Sequence, residues 1–337
     1  IELSVVSLLP TDGLRYPEAL IDAGVRVETL GLRAWWDPRG PKRMQRVVAD
    51  LAPDVVHTHL KHADVIGGRA ADRLGIPHVS TLHLVEDDPG RVAAWKRDLA
   101  VRSRVRTAAR TVAVSDALRD WYLSHSGAPS ESVVTVRNGV PDPGPSNLAE
   151  TEAVRRELGV PEHALVAVMV AVMRPGKGHD VLIEASRLVE DPSVVFVLAG
   201  DGVEEPTLRA LAAGDDRIVF AGFREDVSRV LAASDFVVHP SLADALPTAL
   251  IHALAAGRPI IASDVGGIPE IVPEHGGLLV PPGDPVALAS AIDRMAAAAD
   301  TRVWMGKRGR ERYDAEFEAI TWAERLRDLY REIVAAE

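Results

Sequence analysis

Residues 240 to 270 read PSLADALPTALIHALAAGRPIIASDVGGIPE, which places an acid, a proline-started helix and a Gly-Gly pair in one short stretch. Pro247 suits the first turn of a helix, where its missing N–H costs nothing. The free amides of that turn, with the helix dipole, face a negatively charged ligand. A pyrophosphate is the natural candidate. Asp244 stands just before this helix and His252 lies inside it, so both can reach ligand hydroxyls while the amides hold phosphate. Lys177 follows Pro175-Gly176 and precedes Gly178, a loop composition that delivers a cation with little obstruction. With Arg174 it can stabilise a leaving group on which negative charge grows. His83 ends an apolar run and is either a structural histidine or one that orients or deprotonates a hydroxyl. His57 and His59 stand two apart, as a metal pair could, but no third ligand is evident nearby. Gly266-Gly267 permits either a sharp turn or close approach to a ligand. Gly200-Asp201-Gly202 lacks the third glycine of a dinucleotide loop, and Asn138-Gly139 most simply makes a turn.

The chain has 337 residues, 47% hydrophobic and 26% charged. That length is enough for two cores at about 100 to 200 residues per domain. The longest apolar run, Ala164 to Met173, is far short of the roughly 20 residues needed to cross a bilayer, and no signal peptide opens the chain. A soluble, cytoplasmic protein is therefore expected. The absence of cysteine excludes disulfides, thiolate metal sites and a cysteine nucleophile. A net charge of −11 argues against broad nucleic-acid binding. One run departs from that balance: Lys96, Arg97, Arg102, Arg104, Arg106 and Arg110 face a single Asp98. It reads either as a solvated helix face or as a peripheral contact with an anionic membrane surface, at the inner face, or with an anionic acceptor.

These residues need elements to position them. Apolar runs recur at Leu3 to Leu8, Val25 to Leu30, Val55 to His57, His78 to Leu82, Thr111 to Val114 and Val133 to Val136. The second half repeats the pattern at Leu165 to Val172, Val194 to Ala199, Ile218 to Ala221, Phe236 to His239, Pro259 to Ala262 and Leu278 to Val280. Such runs, without polar alternation and separated by segments such as Lys42 to Leu51 and Ala63 to Leu74, predict α/β domains with parallel sheets covered on both faces. Val140 to Glu150, with three prolines and a glycine, predicts a linker dividing residues 1–145 from 151–315. Ala319 to Ala336 has a helical pattern that suits packing back onto the first domain. Two doubly wound domains facing each other across a cleft would bind ligands at their strand C-termini.

In order and spacing, VVHTH (Val55 to His59), STLH (Ser80 to His83), AVSDALRDWY (Ala113 to Tyr122), VRNGVP (Val136 to Pro141), RPGKGHDVLIEA (Arg174 to Ala185), VLAGDG (Val197 to Gly202) and the 240–270 block resemble family 4 of the retaining glycosyltransferases. The resemblance runs from about residue 3 to residue 335. It implies a GT-B fold, two Rossmann-like domains, with a nucleotide-sugar donor held mainly by the second. The donor-side positions it implies are Asp244, Ala245, Leu246, Pro247, Thr248, His252 and Gly200, with Phe223 and Arg224 at the nucleobase. His83 matches a position at the reaction centre, Lys177 and Arg174 match phosphate ligands, and His59 and Asn138 lie on the acceptor side. The implied reaction is metal-independent, cofactor-free hexosyl transfer from a nucleoside diphosphate sugar, above all a UDP-sugar, to an acceptor hydroxyl with retained configuration. The chain also departs from the family pattern. Val172 stands where an Arg is usual, the usual pair of Glu appears as Asp244 and His252, and the family's opening strand and glycine-rich loop are expected to be missing. These departures leave open a non-catalytic nucleotide-sugar-binding protein or partner subunit, and the shared architecture leaves open an epimerase. The Arg-over-Lys and Ala bias points to a GC-rich bacterial source.

Overall fold

A computed structural model of the chain describes residues 1–11, 15–34, 37–85 and 91–336. It forms two compact units, one made of Ile1–Val136 with Glu324–Glu337 and the other of Arg137–Ala323. The first unit carries β1 (Ser4–Ser7), β2 (Arg26–Thr29), β3 (Val56–His59), β4 (His78–Leu82), β5 (Arg110–Ala113) and β6 (Val133–Thr135). β1 and β2 pair in parallel as a two-stranded sheet, and β3-β4-β5-β6 form a parallel sheet in sequence order. Every residue of β4 is buried, as expected of a strand covered on both faces. The helix Lys61–Leu74 lies close against this sheet because it carries Gly67-Gly68. A Cβ on Gly67 would lie 2.8 Å from the Thr58 methyl, and one on Gly68 2.7 Å from His78 Cε1.

The second unit carries β7 (Leu165–Val170), β8 (Val194–Ala199), β9 (Ile218–Gly222), β10 (Phe236–His239), β11 (Ile260–Ser263) and β12 (Gly277–Val280). The order across its sheet is β12-β11-β10-β7-β8-β9, all parallel. The sheet's core is fully buried around Met169, Leu182, Phe196, Phe236 and Ile292. The strand order reverses between β7 and β10. At that switch point the loops leaving two adjacent strands diverge and open a crevice where doubly wound sheets take their ligands. β7 stops at Val170, two residues before the predicted end, and just beyond it the backbone of Ala171 lies against Gly200. A Cβ on Gly200 would lie 2.0 Å from the Ala171 carbonyl oxygen.

The expected turn at Asn138-Gly139 does not form, and residues 136–139 are irregular. What requires glycine there is packing: a Cβ on Gly139 would lie 2.6 Å from Trp322 Cβ and 2.8 Å from the Glu318 carbonyl oxygen. Val140 then bridges Glu318 in parallel, and its carbonyl accepts from the Tyr313 hydroxyl at 2.9 Å. Those contacts tie the start of the proline-rich segment 140–150 to the body of the second unit, so the division falls at Val136, ahead of it.

Candidate active site

At the switch point of the second unit, the loop after β7 lies directly on the loop after β10. Gly178 has φ 78°, and a Cβ there would sit 2.0 Å from the Pro240 carbonyl oxygen. The Oγ of buried Ser241 and the Leu242 amide both donate to the Gly176 carbonyl, at 3.1 and 2.9 Å. Joined this way, the loops bring Lys177 Nζ to 2.5 Å from Asp244 Oδ2, with each side chain 14% exposed. His239 Nε2 donates to the same oxygen at 3.1 Å. Burial pushes the Asp244 carboxyl up, but the His239 hydrogen bond and the Lys177 charge outweigh it, and its pKa is lowered. Behind the carboxylate, Gly267 N donates to the Asp244 carbonyl at 3.2 Å, and a Cβ on Gly266 would lie 2.0 Å from that carbonyl oxygen. The Gly-Gly pair therefore serves close backbone packing inside the site.

The other donor-side positions lie around this pair. Arg174 is exposed on the Lys177 loop. Pro247 caps the helix Thr248–Ala255 from outside, one residue before the turn in which the sequence placed it, because its ψ of 112° is extended. Ala245, Leu246 and Pro247 are buried and Thr248 is exposed. His252 has Nδ1 buried without a hydrogen-bond partner among the described residues, and burial lowers its pKa. Phe223 is exposed. Arg224 is held by two carboxylates, Asp226 with two bonds of 2.8 Å and Glu157 with a third. Asn138 is half-buried at the start of the second unit.

In the first unit, the C-terminal ends of β3 and β4 collect three stacked imidazoles. His57 and His59 have ring centroids 4.4 Å apart, and His59 and His83 5.1 Å. His59 Nδ1 lies 2.8 Å from His83 Nε2. His57 is held on both sides, by the Tyr330 hydroxyl at 2.5 Å and Thr81 Oγ1 at 2.7 Å. Burial, helped by the neighbouring rings, holds His57 at about 3 and His83 at about 4. Both rings are therefore neutral at pH 7. An unfolded chain, with His near its ordinary value of about 6.5, binds more protons than the fold below that pH. The stability these rings contribute is thus fully present above that value and is lost as pH falls toward 4 and then 3. Thermal unfolding of the first unit is expected to drop by several degrees between pH 7.5 and pH 5.0. A midpoint that stays level over this range would count against buried, neutral rings. Among the described residues no group of three His, Cys, Asp or Glu is placed to hold a metal ion.

The basic run is not a continuous surface. Arg104 is 1% exposed, and its Nε donates to fully buried Asp64 at 2.7 Å, so the expectation that it faces outward is corrected. Arg97 pairs with Asp98 at 3.2 Å and Arg110 with Glu332 at 2.9 Å. Three positions that hold these side chains in place escaped the sequence reading: His239, Tyr330 and Asp64. His239 closes a buried strand just before Pro240-Ser241, at the ligand end of the sheet. Tyr330 falls on the helical stripe of Leu326, Leu329 and Ile333.

The fold and this site define the class: α/β units of the GT-B kind, with parallel sheets and a paired cation and carboxylate at the switch point of the second. Residues 1–142 match the model for Glycosyltransferase Family 4 and residues 164–298 that for Glycosyl transferases group 1. The chain is 31% identical over 307 residues to a D-inositol 3-phosphate glycosyltransferase of Saccharomonospora viridis, covering 84% of this chain and 71% of that one. It is 29% identical over 322 residues to an alpha-maltose-1-phosphate synthase of Mycobacterium tuberculosis, covering 85% of this chain and 81% of the other. The structure superposes on Anabaena Alr3699/HepE in complex with UDP with a TM-score of 0.84 at 21% identity, over 98% of this chain and 99% of that one. It superposes on sucrose-phosphate synthase from Thermosynechococcus elongatus with a TM-score of 0.82 at 21% identity, over 99% of both chains. The chain belongs to the group 1, family 4 glycosyltransferases and is a glycosyltransferase.

Proposed function

We propose that the protein moves a glycosyl unit from a UDP-sugar to an acceptor hydroxyl, with retained configuration and without a metal ion. The observation that carries this reading is the Lys177–Asp244 pair at the switch point, 2.5 Å apart and partly exposed. It offers a cation for phosphate and a carboxylate for sugar hydroxyls within one site. His252 supplies a single hydrogen bond to a ribose hydroxyl. As the bond from the anomeric carbon to the phosphate oxygen breaks, its electron pair passes to the diphosphate. Lys177 and Arg174 meet the growing charge and so take the part a metal ion plays elsewhere. Neutral His83 orients the acceptor hydroxyl, whose proton passes to the departing phosphate as the new bond forms on the same face. The choice of uridine is supported by the fold neighbour in complex with UDP.

The test is incubation with UDP-glucose, UDP-N-acetylglucosamine, GDP-mannose and ADP-glucose, each with and without EDTA, followed by nucleotide release and NMR of the anomeric product. Release from a UDP-sugar, unchanged by EDTA and with retained configuration, is expected. Turnover of only the GDP or ADP donor, loss with EDTA, or inversion would each overturn the corresponding part of the proposal.

A further inference from the structure

His239 is 2% exposed at the end of β10, and its Nε2 lies 3.1 Å from Asp244 Oδ2. Its Nδ1 is buried without a hydrogen-bond partner among the described residues, so Nε2, donating to the carboxylate, is the ring nitrogen that ties His239 into the site. Asp244 Oδ2 thus receives two donors of different character. Lys177 reaches it on a flexible four-carbon stem, whereas His239 reaches it from a buried strand whose residues cannot shift without disturbing the sheet. Oδ1 of the same carboxylate has no hydrogen-bond partner among the described residues. An incoming diphosphate competes with Asp244 for the Lys177 charge. A carboxylate held by Lys177 alone would be released at the moment a sugar needs it.

We propose that His239 is a positioning residue: it anchors Asp244 so that Oδ1 accepts a hydroxyl of the donor's sugar while Lys177 turns to the phosphates. This rests on the donor-site reading above. The role is specific to the sugar half of the donor, which separates it from a purely structural one. Loss of His239 leaves UDP recognition intact and removes the benefit the sugar brings.

The experiment compares wild type, His239→Gln and His239→Phe in binding of UDP, UDP-glucose and UDP-N-acetylglucosamine by calorimetry, and in steady-state transfer. Gln places an amide N–H near the position of Nε2, and Phe keeps the ring volume without a donor. In both variants the Kd for UDP is expected to stay within about 2-fold of wild type. His239→Phe is expected to lower kcat by about 10- to 100-fold, the size of a hydrogen bond to a charged group. It should also erase the difference in affinity between UDP and the UDP-sugar, whereas His239→Gln stays within a few-fold of wild type. Turnover by His239→Phe at the wild-type rate would overturn the proposal, as would an equal loss of UDP affinity or Gln behaving like Phe. Should Phe fail to fold, His239→Leu, which also lacks a donor, takes its place: gap between UDP and UDP-sugar affinity lost with UDP affinity intact, the proposal stands; gap kept, it falls. A wild type inert toward every UDP-sugar would instead sink the donor-site reading itself.

Discussion

Lys177→Ala is expected to lower kcat/KM for the UDP-sugar by about 100- to 1,000-fold, the loss measured when one preorganised donor to a developing anion is removed. The loop that carries Lys177 is fixed to the next by Ser241 and Leu242 on the Gly176 carbonyl, so the cation is in place before the ligand arrives. Such a group binds the charge that grows on the leaving diphosphate better than it binds the ground state, and the loss therefore falls on kcat as well as on nucleotide affinity. The fold should survive. Asp244 keeps its hydrogen bond from His239, and its carboxyl moves back toward the ordinary carboxylate range once the Lys177 charge is gone. The lowered carboxyl of wild type contributes stability that is present above the ordinary carboxyl pKa and lost as pH falls through the folded value. The variant lacks part of that contribution and is expected to melt a few degrees below wild type at pH 7, with a shallower acid limb that closes the gap as the pH falls. Kinetics and melting curves on the same preparation decide the matter. Full activity would remove Lys177 from the phosphate site, and a collapse in melting temperature matching the loss of rate would make its role structural.

Most of the fold was legible because parallel strands buried on both faces must be unbroken apolar runs. His78 to Leu82, Val194 to Ala199 and Phe236 to His239 became strands end for end. Lys177 and Asp244 were legible one at a time, since each follows such a run in a loop of Gly, Pro and small residues. Their pairing was not legible: they are 67 residues apart in sequence, and only the reversal of strand order at β7 and β10 brings them together. His239 escaped for the reverse reason, because a histidine that ends an apolar run reads as one more core residue. At Asn138-Gly139 local turn chemistry pointed the wrong way. There the contact of Gly139 with Trp322, far along the chain, outweighs the preference of the dipeptide. Arg104 misled through composition. Its helix, Arg91–Thr107, carries basic residues on several faces, so nothing in the pattern separates a buried guanidinium from an exposed one. What buries it is Asp64, 40 residues earlier, on a helix that two glycines allow close to the sheet.

That pair carries the largest expected effect on stability. Asp64 Oδ1 accepts from Thr58 at 2.5 Å and from Ser80 at 2.7 Å, and Oδ2 accepts from Arg104 Nε at 2.7 Å. Thr58 in turn faces His78 Nε2 at 2.8 Å, so the carboxylate organises donors from β3, β4 and the helix Arg91–Thr107. Asp64→Leu leaves a guanidinium that is 1% exposed without its counter-charge, and is expected to destabilise the first unit by about 3 to 5 kcal/mol. For a body of this size each kcal/mol moves the midpoint by about 2 to 4 °C, so a fall of roughly 6 to 20 °C is expected. Adding Arg104→Met removes the orphaned charge, and well-packed apolar replacements for a buried ion pair are often neutral. The double variant should therefore recover most of the loss. A deficit of about 1 to 3 kcal/mol should remain, because the Thr58 and Ser80 hydroxyls have lost their acceptor. Denaturant unfolding of the two single variants and the double closes the cycle. A large coupling energy locates the stability in the pair. If Asp64→Leu alone costs less than about 1 kcal/mol, the close packing of Gly67 and Gly68 on the sheet, not the charge, holds this helix in place.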